Sequence, residues 1–175
     1  TNGIDKTPST TGQFTDVDVS GDGVPSGATG VILKIVNTGT AGRGEVRKNG
    51  STDDFGLTVQ ADQGRYALVG VDANRIFEAY IAATTMKIYL IGYTDENCGF
   101  FDNAIEKTPG ATGWQDIDVS GDIPSGATGV ICLLYNNHTA LVYSGGIRKN
   151  GSTDTYPYGS IRYGSNFYYQ LCGVD

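Results

Sequence analysis

The chain has 175 residues, of which 39% are apolar and 18% charged, with 26 glycines and a net charge of −7 at pH 7. The apolar share builds packed cores and excludes a disordered tail, while the negative charge and scattered basic residues exclude nucleic acid and anionic membrane as partners. No apolar run approaches the roughly 20 residues that cross a bilayer, and the opening at Thr1, without a Met-led signal sequence, reads as a mature or trimmed soluble product.

In chain order, alternating or apolar stretches predict strands over 15–19, 31–37, 44–48, 55–60, 65–71, 76–82 and 87–93. The loop at Pro25-Ser-Gly-Ala-Thr-Gly leads into Val31-Ile-Leu-Lys-Ile-Val36, whose near-continuous apolarity predicts a mid-sheet strand. Asn49-Gly50 predicts a two-residue type I′ hairpin, because that turn needs positive φ at both central positions.

The chain then repeats itself. Asp5-Lys-Thr-Pro8 returns as Glu106-Lys-Thr-Pro109, and Asp16-Val-Asp-Val-Ser-Gly-Asp22 as Asp116-Ile-Asp-Val-Ser-Gly-Asp122. Pro25 to Ile32 recurs as Pro124 to Ile131, Arg47-Lys-Asn-Gly-Ser-Thr-Asp53 as Arg148 to Asp154, and Gly70-Val-Asp72 as Gly173-Val-Asp175. A period of about 100 residues is one domain per copy, so the expected fold is all-β: two tandem antiparallel sandwiches of jelly-roll or immunoglobulin-like topology. The first spans 1–95, a connector 96–103, and the second, shortened sandwich 104–175. No Cys…Trp…Cys pattern marks a true immunoglobulin domain.

The second copy has no counterpart of 73–94, hence it is expected to lack its last two strands and to expose apolar interior and unpaired backbone. A longer array, the favoured arrangement, strands from a neighbouring subunit, or a naturally smaller second sandwich would each resolve this. Exchange between identical chains fails on stoichiometry, since each chain carries one set of those strands for two repeats.

Asp16, Asp18 and Asp22, with Asp116, Asp118 and Asp122, resemble the front half of a calcium loop, where oxygens alternate before a Gly turn. The bidentate Glu of such a loop is missing, Gly27 and Ala127 standing there, so a half-exposed strand running into a Ser-Gly-Asp turn is favoured and no cofactor is expected. Asn49, Asn137 and Asn150 head glycosylation sequons, although turn geometry alone explains two of them. Cys132 and Cys172 replace Leu33 and Val69 at matched positions, as small buried hydrophobes or as a disulfide pair, and Cys98 sits in the connector.

Seven of the eleven tyrosines fall in the second copy. Tyr143, Tyr156, Tyr158, Tyr163, Tyr168 and Tyr169, with Trp114, would form either an interaction face for glycan or protein or ordinary strand surface. His138 reads as a loop residue. No nucleophile, zinc-protease, phosphate or dinucleotide motif occurs, so an enzyme is not expected.

Gly70-Val-Asp-Ala-Asn-Arg-Ile-Phe-Glu-Ala-Tyr-Ile81, then Tyr89-Leu-Ile-Gly-Tyr-Thr94, with Arg47-Lys-Asn-Gly-Ser-Thr-Asp53 upstream, resembles tandem β-sandwich repeats of phage-associated and microbial surface proteins. The resemblance implies a setting, outside the cell or on a virion, and no site residues. The expected role is a non-enzymatic module that contacts other copies or other assembly subunits, with a carbohydrate-binding module or adhesin as the alternative.

Overall fold

The computed structural model describes residues 2–138, 140–155, 158–161 and 166–175, residues 158–160 by backbone alone. It is all-β, and among the described residues no helix is long and apolar enough to cross a membrane. In the first repeat β1 (Ile4–Asp5), β3 (Gly30–Asn37), β6 (Gln63–Gly70) and β8 (Met86–Thr94) form one antiparallel sheet in the order β1-β8-β3-β6. The second sheet takes β2 (Phe14–Asp18), β4 (Gly42–Lys48), β5 (Thr58–Val59) and β7 (Ile76–Ile81) in the order β2-β7-β4-β5.

Two-residue alternation aims Val31, Leu33 and Ile35 of β3 and Met86, Ile88 and Leu90 of β8 to the same side. They meet Val17, Val46, Phe77, Ala79 and Ile81 of the other sheet in one buried cluster. Leu33 lies between Ala67 and Leu90 in the ladder, so a small residue beside two large ones lets the layers interlock. Phe77, wholly buried on a central strand, is the largest single contributor, and truncating such a ring costs about 3–5 kcal/mol.

The second repeat keeps only part of this plan. β9 (Gly129–Asn136) pairs with β12 (Asn166–Gly173), and β10 (Tyr143–Gly145) with β11 (Tyr158–Ile161), the counterparts of β3 with β6 and β4 with β5. Residues 115–119, the counterpart of the strand expected over 15–19, form none. The cause is non-local: β2 is held by β7, and β1 by β8, and neither partner has a counterpart here.

The β9–β12 ladder packs on the first repeat. Its register puts Leu133 and Tyr135 opposite Tyr169 and Phe167 on one face, and Phe167 is fully buried in the first repeat's cluster. Leu133, Tyr169 and Phe55 pack around it, with Phe55 and Tyr135 rings 5.6 Å apart. Arg65 of β6 donates to Asn166 at 3.1 Å and lies 5.1 Å from the Tyr168 ring. Burial pushes the Tyr169 phenol well above the usual tyrosine range, with the Glu45 and Asp53 carboxylates adding to the shift.

Three polar devices fix the loops. Asn37, fully buried at the end of β3, donates to the carbonyls of Thr40 (2.7 Å) and Val59 (3.1 Å), tying one sheet to the other. Asn136 repeats this with Leu141 and Ile161, both at 2.9 Å. Glu45, 1% exposed, accepts from the backbone of Phe55 (2.7 Å) and Leu57 (3.4 Å) and pairs with Arg43 at 2.8 Å. That claim on the 55–57 amides is why the expected strand over 55–60 shrinks to Thr58–Val59.

The Asn-Gly turns differ from expectation as well. Only Gly50 and Gly151 have positive φ, at 79° and 75°, with Ser51 N bonded to the Lys48 carbonyl and Ser152 N to that of Lys149. One positive φ at the second central position is a type II pattern, not type I′, and the partner of β4 lies a full loop away at β5.

Replacing Glu45 with Ala leaves the amides of Phe55 and Leu57 without their acceptor and the Arg43 guanidinium with Asp54 alone, and should lower unfolding free energy by about 3 kcal/mol in urea titration. Asp72 gives a pH dependence. Desolvation raises its pKa, but bonds from Asn49, Ile76 and Asn74 outweigh it and hold the carboxyl below the ordinary range. A lowered folded-state pKa contributes stability above the unfolded value of about 3.9, lost as pH falls through the folded one. Acid unfolding of Asp72→Asn should therefore be flatter below about pH 4 than that of the parent.

Candidate functional site

Several turn, ion-pair and stacking contacts recur in both repeats. Asp18 and Asp118 each accept from the Ser two residues on, at 2.7 and 2.9 Å, and these bonds hold both carboxyls below the ordinary range. Lys6 pairs with Asp22 at 2.5 Å, and Lys107 with Asp122 at 2.6 Å. Asp16 sits opposite Glu78 in the β2–β7 ladder, and Asp116 is exposed. Asp18 and Asp118 thus serve turns and Asp22 and Asp122 lysine pairs, and among the described residues no three His, Cys, Asp or Glu side chains converge on a metal position.

Arg47 lies 3.7 Å over the Phe14 ring and donates to the Asp53 carbonyl at 3.1 Å. Arg148 copies this with Trp114 (4.1 Å) and the Asp154 carbonyl (2.6 Å). The stack exploits the negative face of the ring and fixes the guanidinium at the sheet surface.

The contacts to β7 and β8 are not copied, and neither is the Arg43–Glu45 pair, whose matching positions hold Ser144 and Gly146. Arg47 also bonds Glu78 of β7 at 2.6 Å, whereas Arg148 has no carboxylate partner among the described residues. The Thr85 hydroxyl, just before β8, reaches Asn37 Oδ1 at 3.4 Å, and among the described residues nothing equivalent reaches Asn136. Val17 is 7% exposed beneath Phe77, while its counterpart Ile117 is 41% exposed. Val130, Cys132 and Leu134, which occupy the positions of the fully buried Val31, Leu33 and Ile35, are only half-buried. β9 therefore presents an open edge above an uncovered apolar layer.

The connector supplies a second difference. Phe100 lies across Gly30 and Gly70, both buried under it; a Cβ on Gly30 would stand 2.3 Å from Phe100 Cε2 and one on Gly70 2.7 Å from Phe100 Cβ. Lys48 pairs with Asp102 at 2.5 Å. Asn103 Oδ1 accepts from Ser51 Oγ (2.9 Å) and Thr52 N (2.8 Å), and Asp53 Oδ2 accepts from Ala104 N at 2.9 Å. The connector is thus a strap pinned over one end of the first repeat. At the matching end of the second repeat, Gly129 and Gly173 are exposed, beside a shallow cleft of about 290 Å³ lined by Trp114, Arg148, Lys149, Ser152 and Asp154 among others.

The described aromatic side chains of the second repeat lie in different surroundings. Trp114 borders that cleft, and Tyr143, half exposed, meets His138 edge-on at 5.8 Å. Tyr169 belongs to the packing between repeats and Tyr168 turns to Arg65. Tyr156 and Tyr163 lie outside the described residues, as does the side chain of Tyr158. His138 Nδ1 accepts from the amides of Ala140 and Leu141 at 3.0 and 2.9 Å, closing a loop.

All three cysteines are free thiols. Cys132 lies opposite Gln170, and Cys172 opposite Val130, so the two stand diagonally on one face of the ladder without a bond. Diagonal positions lie at the far limit of disulfide reach. Desolvation raises both thiols, and for Cys132 the nearby Cys172 adds to it. Asn137 and Asn150 are exposed, whereas Asn49 donates to Asp72 at 2.9 Å.

Sequence reasoning found the gap but missed the strap, the cross-sheet asparagines and Glu45. Asn37 and Asn136 were visible as identical residues at matched positions, and Gly30, Gly70, Gly129 and Gly173 likewise. The chain matches no family model, no curated protein and no solved structure. If pairing with β7 alone makes β2 a strand, amides 14–18 should resist hydrogen exchange while amides 114–118 exchange near the unprotected rate, as exchange mass spectrometry would read directly.

Proposed function

We propose that this chain is a non-enzymatic structural module of an extracellular or virion assembly, a filament, capsid or surface subunit that joins its neighbours by strand pairing and apolar burial. The two repeats, 1–95 and 104–175, are the units of that module and 96–103 is the joint. One observation carries the proposal: the second repeat keeps the first repeat's Asx turn, lysine pair and arginine–aromatic stack and leaves open the contacts that β7 and β8 would make. An open edge with a half-covered apolar layer is the surface to which an added strand binds, main-chain bonds giving affinity and alternate side chains giving specificity. The partners are other assembly subunits or further copies of the chain. A Ser, Thr and Gly-rich acidic surface fits an exterior location.

The cleft beside Trp114 favours one other reading, a carbohydrate-binding module, because an exposed indole amid Lys149, Ser152 and Asp154 can stack on a sugar ring. Its mark would be retention on immobilised glycans that is lost in Trp114→Ala.

For the assembly proposal, native mass should exceed the denatured mass of 18.5 kDa and rise with concentration. Val130→Lys, placing a charge in the uncovered layer, should return the protein to a monomer with its β circular dichroism intact. A parent chain that stays monomeric at all concentrations, with no added polypeptide bound, would sink the proposal.

A further inference from the structure

The strap over the first repeat is a bound peptide whose receptor is duplicated in the second. Its receptor consists of two glycines that make room for Phe100, a lysine for Asp102, the Ser51-Thr52 pair for Asn103, and Asp53 for the amide of Ala104. Thr29 adds a hydroxyl 2.6 Å from the carbonyls of Asp95 and Cys98 at the strap's start. Every one of these positions has the same residue in the second repeat: Gly129 and Gly173, Lys149, Ser152 and Thr153, Asp154, and Thr128.

In the second repeat those groups make do with near neighbours. Ser152 Oγ turns to Asp154 at 2.9 Å instead of reaching an asparagine, and Lys149 stands 3.3 Å from Asp175 with both side chains more than half exposed. Backbone geometry around the slot is kept: Val174 N bonds the Thr128 carbonyl as Val71 N bonds that of Thr29, and Ser152 N bonds Lys149 as Ser51 N bonds Lys48. A glycine under an aromatic ring is there for clearance, since any Cβ at Gly70 would overlap Phe100. Gly173 bears no such load: a Cβ there would meet only Lys149 Cδ at 3.6 Å and the Thr128 carbonyl at 3.7 Å. Gly30 and Gly129 also clear the neighbouring strand, where a Cβ would stand 2.8 Å from the Val69 carbonyl oxygen and 2.9 Å from that of Cys172; Gly173 has no such local reason, and its counterpart Gly70 seats the Phe100 ring.

We infer that this end of the second repeat is a peptide-binding site for a Phe-x-Asp-Asn segment of a polypeptide partner, seated as Phe100-Phe-Asp-Asn103 is on the first repeat. The chain's own strap cannot serve, because it is already fixed on Lys48, Ser51 and Asp53. The ring fills the glycine slot, the aspartate pairs with Lys149, and the asparagine oxygen takes the Ser152 and Thr153 donors. The partner's chemistry deepens the assembly proposal, yet the site is separate from the β9 edge, so either can fail alone.

The test is a titration of the whole 175-residue protein with a capped peptide of residues 99–105, Gly-Phe-Phe-Asp-Asn-Ala-Ile, followed by calorimetry and by the fluorescence of Trp114, the chain's one tryptophan. Saturable one-to-one binding with a change in Trp114 emission is expected. Gly173→Ala, which the second repeat accommodates at ordinary contact distance, should weaken it at least about tenfold. A peptide carrying Phe100→Ser should bind no better than that. No saturable signal up to about 1 mM peptide, the weak end of specific affinity, overturns the inference. Equal binding by parent and Gly173→Ala overturns it too, since the peptide would then sit elsewhere. Measuring native mass alongside separates the two proposals: association blocked by Val130→Lys with peptide binding intact leaves this site standing, and the reverse leaves the edge standing.

Discussion

An extended strand keeps its shape only while its amides and carbonyls have partners, and in the first repeat those partners are concentrated in two strands. β7 lies between β2 and β4, and β8 between β1 and β3, so two consecutive strands hold the middle of both sheets at once. Their short connection crosses from one sheet to the other, and Thr85 on that connection touches the buried Asn37. β1 and β2, which pair with nothing else, depend on them. The second repeat displays the consequence, for the sequence that is a strand at Phe14–Asp18 is irregular at 114–118 although the Asp-x-Asp-x-Ser-Gly-Asp motif is intact.

The second repeat keeps the β9–β12 and β10–β11 ladders and a set of side-chain contacts without those strands. Asx turns, lysine–aspartate pairs, the arginine–aromatic stack and the asparagine bridge occur in both repeats. They are individually weak, around 1 kcal/mol or less for exposed pairs, but they hold the loops in the geometry that a completed sheet needs. A scaffold kept in its receptive shape lowers the ordering cost of whatever binds it.

The sequence was most legible where a pattern is local and repeated. The strands over 31–37 and 76–82 announce themselves by alternation, and the missing segment 73–94 by self-alignment. Non-local outcomes were illegible. Nothing in Asp116-Ile-Asp-Val119 says that its partner is gone, and the Glu45 carboxylate that takes the amides of 55–57 looks, in sequence, like any exposed strand residue. Asn-Gly gave the turn but not its type, since positive φ at the glycine alone already satisfies the chain. Nearness along the chain also says little about faces: in a ladder successive residues point to opposite sides, so Tyr168 and Tyr169 meet different neighbours.

The differences between the repeats carry as much as the likenesses. Lys34 and Gly64, on the outward face of the β3–β6 ladder, become Leu133 and Phe167, and Phe167 is buried against the first repeat. An outward face turned apolar commits the second repeat to one seat beside the first, which a freely jointed tandem would not require. The inward positions differ: Val130 and Leu134 of β9 stay apolar though only half-buried, and Gly173 stays glycine though exposed, while Gly129 clears the Cys172 carbonyl, 2.9 Å from where its Cβ would stand. Under the proposed role these kept residues are the surface that a neighbour covers, just as the altered outward face is covered by the first repeat.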